Sequence, residues 1–289
     1  MQSITGKTKL LGIIGDPVEH SLSPIMHNTA IASLGLDYVY IPFPVKQGDL
    51  DRAIAGFTAV DLQGFSITIP HKQDIIPLLT EITEDAQNIG AVNTVWRTTT
   101  GWKGTNTDIA GFIAPLKAMA RDWSKMTPVV LGHGGAARAV IVGLINLGCS
   151  KVHVVGRNPD KLARFYQSWQ HAPIIASKIK IHNWDNLPAL LPATDLLINS
   201  TPVGMSPKID ASPISESLMQ KLQQNAIVYD LIYTPNPTQF LKLASAQGAT
   251  AIDGLEMLLQ QGVAALEIWL QQTVPVDMMR NSLKEYLGL

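Results

Sequence analysis

The chain has 289 residues, 46% of them hydrophobic and 16% charged, with 22 Lys+Arg against 23 Asp+Glu for a net charge of −1. This length suits two domains with real cores, the composition excludes a disordered chain, and the charge balance offers nothing for nucleic acid or an anionic membrane to recognise. The single cysteine, Cys149, excludes an intrachain disulfide framework and reads as a small core residue. No apolar run approaches the ~18 residues of a membrane span. The opening MQSITGKTKLLGIIGD has too short an apolar run for a signal peptide. The seven histidines show no metal-ligand spacing. The expectation is a cytosolic, metal-free protein.

In chain order, KLLGIIG (9–15) predicts a strand. SPIMHNTAIASLG (23–35) predicts a helix with Ser23 as N-cap, Pro24 in the first turn and Gly35 past the end. A strand at 37–45, a helix at 47–58, a strand at 65–69, short helical pieces to Ile89 and a strand at 91–97 follow, closed by the hairpin-like TTTGWKGTNTD. A second unit then opens with a helix at about 109–120. It continues with strand, glycine turn and helix at 127–148, a strand at 151–157 and the helix NPDKLARFYQSW. Strands at 195–205 and 226–233, the helix PTQFLKLASAQG, a short strand at 250–254 and two closing helices (254–272, 275–287) complete it. Strands alternating with helices imply βαβ units and parallel sheets.

VVLGHGGAARAV carries G-x-G-x-x-A at Gly132, Gly134 and Ala137. Glycines between a strand and a helix let the backbone approach a pyrophosphate at the helix N-terminus; a plain tight turn is the bland alternative. NAD binders place a carboxylate at the end of the next strand. Here that place holds Gly156-Arg157-Asn158, and a forked guanidinium suits the 2′-phosphate of NADP. Lys161 adds charge one turn on.

A cofactor that reduces a carbonyl needs a proton donor beside it, and lysine can serve. Lys72 follows the strand in GFSITIPHKQD, and strand C-termini are where ligands bind in parallel sheets. Asp108, in GTNTDIAGF, stands where the second unit begins and could orient it. Taken alone, each also reads as a solvated helix-start residue or a helix N-cap. Ser21, Ser23, Ser66, Thr68 and Asn93 at strand ends suit a polyhydroxylated substrate, or serve only as turn residues.

With these residues in view the chain resembles the shikimate dehydrogenases. The likeness runs in order through IIGDPVEHSLSPIMHN, ITIPHK, IGAVNT, GTNTDIAGF, LGHGGAARA, GRNPDK, INSTPVGM, VYDLIY and DGLEMLLQQG, over about 250 residues. It implies NADPH-dependent, reversible reduction of 3-dehydroshikimate to shikimate on the route to chorismate and the aromatic amino acids. The nearest alternative is a quinate/shikimate dehydrogenase with broader substrate or NAD use; a non-catalytic relative stands further off. Lys72 matches the family's catalytic lysine and Asp108 its partner. Ser21, Ser23, Thr68, Asn93, Tyr233 and Gln261 match substrate contacts, with Ser66 standing where many members have asparagine. Gly132, His133, Gly134, Gly135 and Ala136, then Gly156, Arg157, Asn158 and Lys161, match the NADP site, as does Thr201 in INSTPVGM. Leu231 and Gly254 match positions near the nicotinamide. The implied fold is two-domain α/β: an N-terminal α/β substrate-binding domain (1–107 plus 254–289) and a Rossmann-type NADP-binding domain (108–253), with the cleft between them. A monomer or homodimer is expected.

Overall fold

The apolar runs form two six-stranded sheets, described by a computed structural model for residues 4–289. One unit runs up to Thr107 and takes back Leu259–Leu289; the other is Asp108–Leu258.

The first unit holds β1 (Lys9–Gly15), β2 (Tyr38–Pro44), β3 (Gly64–Ile67), β4 (Glu81–Ile82), β5 (Thr94–Thr98) and β6 (Gly101–Thr105). They lie in the order β2-β1-β3-β5-β6-β4, and only β5 runs against its neighbours. The helices are α1 (Ser23–Ser33), α2 (Leu50–Ala59) and α3 (Glu84–Ile89). All four residues of β3 are buried, as expected of a central strand covered on both faces. Around it, Ile14, Phe57, Leu62, Phe65 and Trp102 form a shared core.

The second unit holds α4 (Asp108–Lys117), β7 (Pro128–Leu131), α5 (Gly135–Asn146), β8 (Val152–Gly156), α6 (Pro159–Gln167), α7 (Pro173–Lys178) and β9 (Ile179–Asn183). It continues with α8 (Leu187–Leu190), β10 (Leu196–Asn199), α9 (Glu216–Met219), β11 (Ile227–Asp230), α10 (Gln239–Ala246) and β12 (Thr250–Ile252). The sheet order is β12-β11-β10-β7-β8-β9, parallel throughout. This is the doubly wound arrangement, and its strand order reverses between β7 and β10, where such folds bind ligands. Cys149 is buried, its Sγ donating to the Trp123 carbonyl at 3.3 Å, and burial pushes its thiol up to about 11.

The last helices, α11 (Leu255–Leu270) and α12 (Val276–Leu287), follow. The α11 residue Trp269 lies over Gly64, where a Cβ would overlap its indole. Its Nε1–H donates to the Val95 carbonyl at 2.9 Å. Among the described residues no helix is long and apolar enough to cross a membrane.

Several local expectations change; the strands expected at 195–205 and 226–233 are the shorter Leu196–Asn199 and Ile227–Asp230. The α1 N-cap is Leu22, not Ser23: Ser23 is buried in the first turn, and its N–H donates to Ser21 Oγ at 3.3 Å. The strand expected at 91 begins at Thr94: the Val92 N–H leaves the sheet for the Lys72 carbonyl, while the Asn93 N–H still bonds Thr105 of β6. The stretch read as a hairpin contains a full strand, β6, paired with β5 from Thr94↔Thr105 to Thr98↔Gly101.

Candidate active site

In the first unit the sheet directs most of the polar residues singled out above to one edge. Strands β1 and β3 run parallel and end there, at Gly15 and Ile67. Because β5 is antiparallel, its start pairs with the end of β3 (Ser66↔Thr94), and the end of β6 pairs with the same Thr94. The segments leaving this edge carry Ser21 and Ser23 after β1, Thr68 and Lys72 after β3, Asn93 before β5 and Thr107 after β6. Gln261 is half-buried on α11, next to Gly262, which packs against Met26 and His27 of α1.

The turn bearing Lys72 is held from three sides. The Thr68 N–H donates to the Ile14 carbonyl at 2.9 Å, and the Val92 N–H donates to the Lys72 carbonyl at 2.7 Å. His71 is buried and its Nε2 lies 2.6 Å from the Val45 carbonyl, which requires the Nε2–H tautomer. Lys72 itself is half-buried. One residue past Val92, Asn93 is buried in a polar knot: its Oδ1 accepts from the Thr107 N–H at 2.7 Å and from Thr94 Oγ1 at 2.9 Å, while its Nδ2 donates to Thr107 Oγ1 at 3.0 Å. Asn93 therefore fixes the residue immediately before Asp108.

One group here was not anticipated. Tyr40 is buried on β2 beside the Ser23 and Ser66 side chains, and burial pushes its phenol upward. Its hydroxyl reaches neither serine with ordinary hydrogen-bond geometry. Its ring packs at a tilt against His27, centroids 4.3 Å apart, and burial pushes the His27 imidazole down to about 3, so that it is neutral at physiological pH. The alternation of YVYIPFP reads as strand packing, which concealed a polar tip aimed among serines.

In the second unit a pocket of about 320 Å³ opens at the ends of β7, β8 and β10. Its lining includes Gly132, His133, Gly134, Gly156, Arg157, Asn158, Lys161 and Thr201 from the sequence reading, together with Trp184, which that reading did not single out. Gly132 has φ +103°, a region that favours glycine, and a Cβ there would lie 2.9 Å from both Ser200 Oγ and Thr201 Cγ2. Gly134 and Gly135 face open space, and α5 begins at Gly135 without a side-chain cap. Asn158 caps α6, its Oδ1 accepting from the Lys161 N–H at 2.9 Å. Among the described residues no carboxylate lines the pocket. Bare glycines, open helix N–H groups and two cations fit a dinucleotide phosphate. Among the described residues no three His, Cys, Asp or Glu side chains group to hold a metal ion.

Behind the pocket, Asn199 Oδ1 accepts from the Thr201 N–H and Oγ1 at 3.0 and 2.7 Å, and its Nδ2 donates to Asp230 Oδ1 at 2.9 Å. Leu231 and Gly254 meet here: a Cβ on Gly254 would overlap the Leu231 carbonyl. Tyr233, two residues on, is half-buried, and burial raises its phenol. Asp230 is fully buried, and this pushes its carboxyl up to about 6 despite bonds from Thr238 Oγ1, the Ile232 N–H and Asn199 Nδ2. An unfolded aspartate titrates near 3.9, so between about pH 4 and 6 the folded chain keeps a proton that the unfolded chain has lost. The stability this proton contributes is complete below pH 4 and lost as pH rises to about 6, at no more than about 1.4 kcal/mol per pH unit. In denaturant titrations, the stability difference between wild type and Asp230→Asn should change across that window and be flat above it. A difference flat throughout would show that Asp230 ionises as it does in the unfolded chain.

The seven proposed substrate residues Ser21, Ser23, Ser66, Thr68, Lys72, Asn93 and Gln261 belong to the first unit; Asp108, buried at the start of α4, and Tyr233 belong to the second. Three family profiles match: the shikimate dehydrogenase substrate binding domain (residues 13–95), shikimate / quinate 5-dehydrogenase (116–256) and the shikimate 5′-dehydrogenase C-terminal domain (254–284). The chain is 61% identical over 289 residues to the shikimate dehydrogenase (NADP(+)) of Gloeothece citriformis, with 100% of each chain covered. A shikimate dehydrogenase crystallised in complex with NADP+ superposes with a TM-score of 0.88 at 38% identity, covering 99% of this chain and 98% of that one. The enzyme of Thermus thermophilus in complex with NADP(H) and shikimate gives 0.84 at 31% identity, covering 96% and 99%. With full-length identity of this order, the chain belongs to the shikimate dehydrogenase family.

Proposed function

We propose that the chain catalyses the reversible, NADPH-dependent reduction of 3-dehydroshikimate to shikimate, on the route to chorismate and the aromatic amino acids. The observation that carries this reading is the convergence of Lys72, Asn93, Thr107 and the serines on one edge of the first sheet. The full-length relatives named NADP-dependent shikimate dehydrogenases support it.

Ser21, Ser23 and Ser66, with the buried Tyr40 hydroxyl between the last two, offer neutral donors to the substrate carboxylate. Thr68, Asn93, Tyr233 and Gln261 hold its hydroxyls. Lys72 donates the proton to the C3 oxygen as the carbonyl is reduced, and Asp108 orients the ammonium and bonds the neighbouring hydroxyl. Gly132, His133, Gly134, Gly135 and Ala136 cradle the pyrophosphate of NADP. Gly156, Arg157, Asn158 and Lys161 receive the 2′-phosphate end, Thr201 lines the same pocket, and Leu231 and Gly254 flank the nicotinamide. When bound, NADPH supplies the hydride. In the reductive direction, purified protein should consume NADPH only when 3-dehydroshikimate is added, with shikimate as the product. NADPH that persists with that substrate would overturn the reading.

A further inference from the structure

The parallel pairing of β8 with β9 ends on Gly156↔Asn183, so the next residue of each strand, Arg157 and Trp184, emerges side by side at the sheet's C-terminal edge. The Arg157 guanidinium carbon lies 5.7 Å from the centre of the Trp184 ring, and both residues line the same pocket. Trp184 is half-buried against the core that contains Leu187 and Leu191, whereas Arg157 is exposed. An exposed arginine on a flexible stem loses rotamer freedom when it grips an anion. An indole face removes part of that cost in advance: it attracts the guanidinium face-on and leaves the in-plane N–H groups free for phosphate oxygens.

We propose that Trp184 is a specificity-determining positioning residue, which holds Arg157 ready for the 2′-phosphate and so sets preference for NADP over NAD. This rests on the NADP reading above. It makes the aromatic face at position 184, and not only the arginine, part of cofactor choice.

Calorimetric titration of the full chain with adenosine 2′,5′-bisphosphate and with 5′-AMP separates the contributions without turnover. In wild type the bisphosphate binds more tightly. Trp184→Ala should cut that preference by about 5–10-fold, the range of a cation–π contact at a partly buried site, with 5′-AMP affinity nearly unchanged. Trp184→Phe, which keeps an aromatic face, should restore most of it, and Trp184→Leu, which keeps apolar bulk for folding, should behave like alanine. Equal weakening of both ligands would make Trp184 an adenine platform and overturn the proposal. So would a leucine variant that keeps the full preference. A wild type without any preference for the bisphosphate would instead sink the NADP reading on which the proposal stands.

Discussion

Lys72→Ala is expected to lower kcat by roughly 10²–10⁴-fold with little change in KM for shikimate, the loss typical of a positioned proton donor. The backbone argues that the effect is chemical. The Lys72 turn is tied down by its own carbonyl, by Thr68 and by the buried His71, none of which the substitution removes. Thermal stability should therefore change little, because side-chain truncation away from a core or cap is usually near neutral. Lys72→Arg should not rescue the rate, since a guanidinium does not release its proton near neutral pH. Near-full turnover in the alanine variant would show that another group delivers the proton.

Arg157→Ala is expected to raise KM for NADPH by about 10–100-fold while leaving KM for NADH within about twofold. Charge-assisted hydrogen bonds to a phosphate contribute about 1.5–3 kcal/mol, and NADH has no 2′-phosphate to lose them. The difference should shrink as salt is raised, because Arg157 is exposed and exposed charges are screened. Equal losses for both cofactors would mean that Arg157 supports the adenosine generally.

Much of this was legible where a backbone requirement dictates the residue. Gly132 adopts a positive φ next to Ser200 and Thr201, and the strand-turn-helix around it follows from the apolar periods on either side. Arg157 is informative because a carboxylate is missing from its place. Other features depend on distant partners. Asn93 reads locally as a strand residue, yet its side chain bonds Thr107 across 14 positions. Tyr40 and Trp184 gain their roles only through registers, Leu11↔Tyr40 and Gly156↔Asn183, that no local window contains. Strand β9 is one that the helical pattern around it hides, although IKIHN alternates apolar and polar residues, a period-two signal. The Asp230–Asn199–Thr201 chain likewise joins residues from two strands.

The most direct test is a steady-state comparison of kcat/KM in the oxidative direction for four pairs: shikimate or quinate, each with NADP+ or NAD+. Shikimate with NADP+ should lead every other pair by roughly tenfold or more, the discrimination expected when one site binds a phosphate and another rejects an extra hydroxyl. A preference for quinate or for NAD+, or no turnover with any pair, would contradict the account.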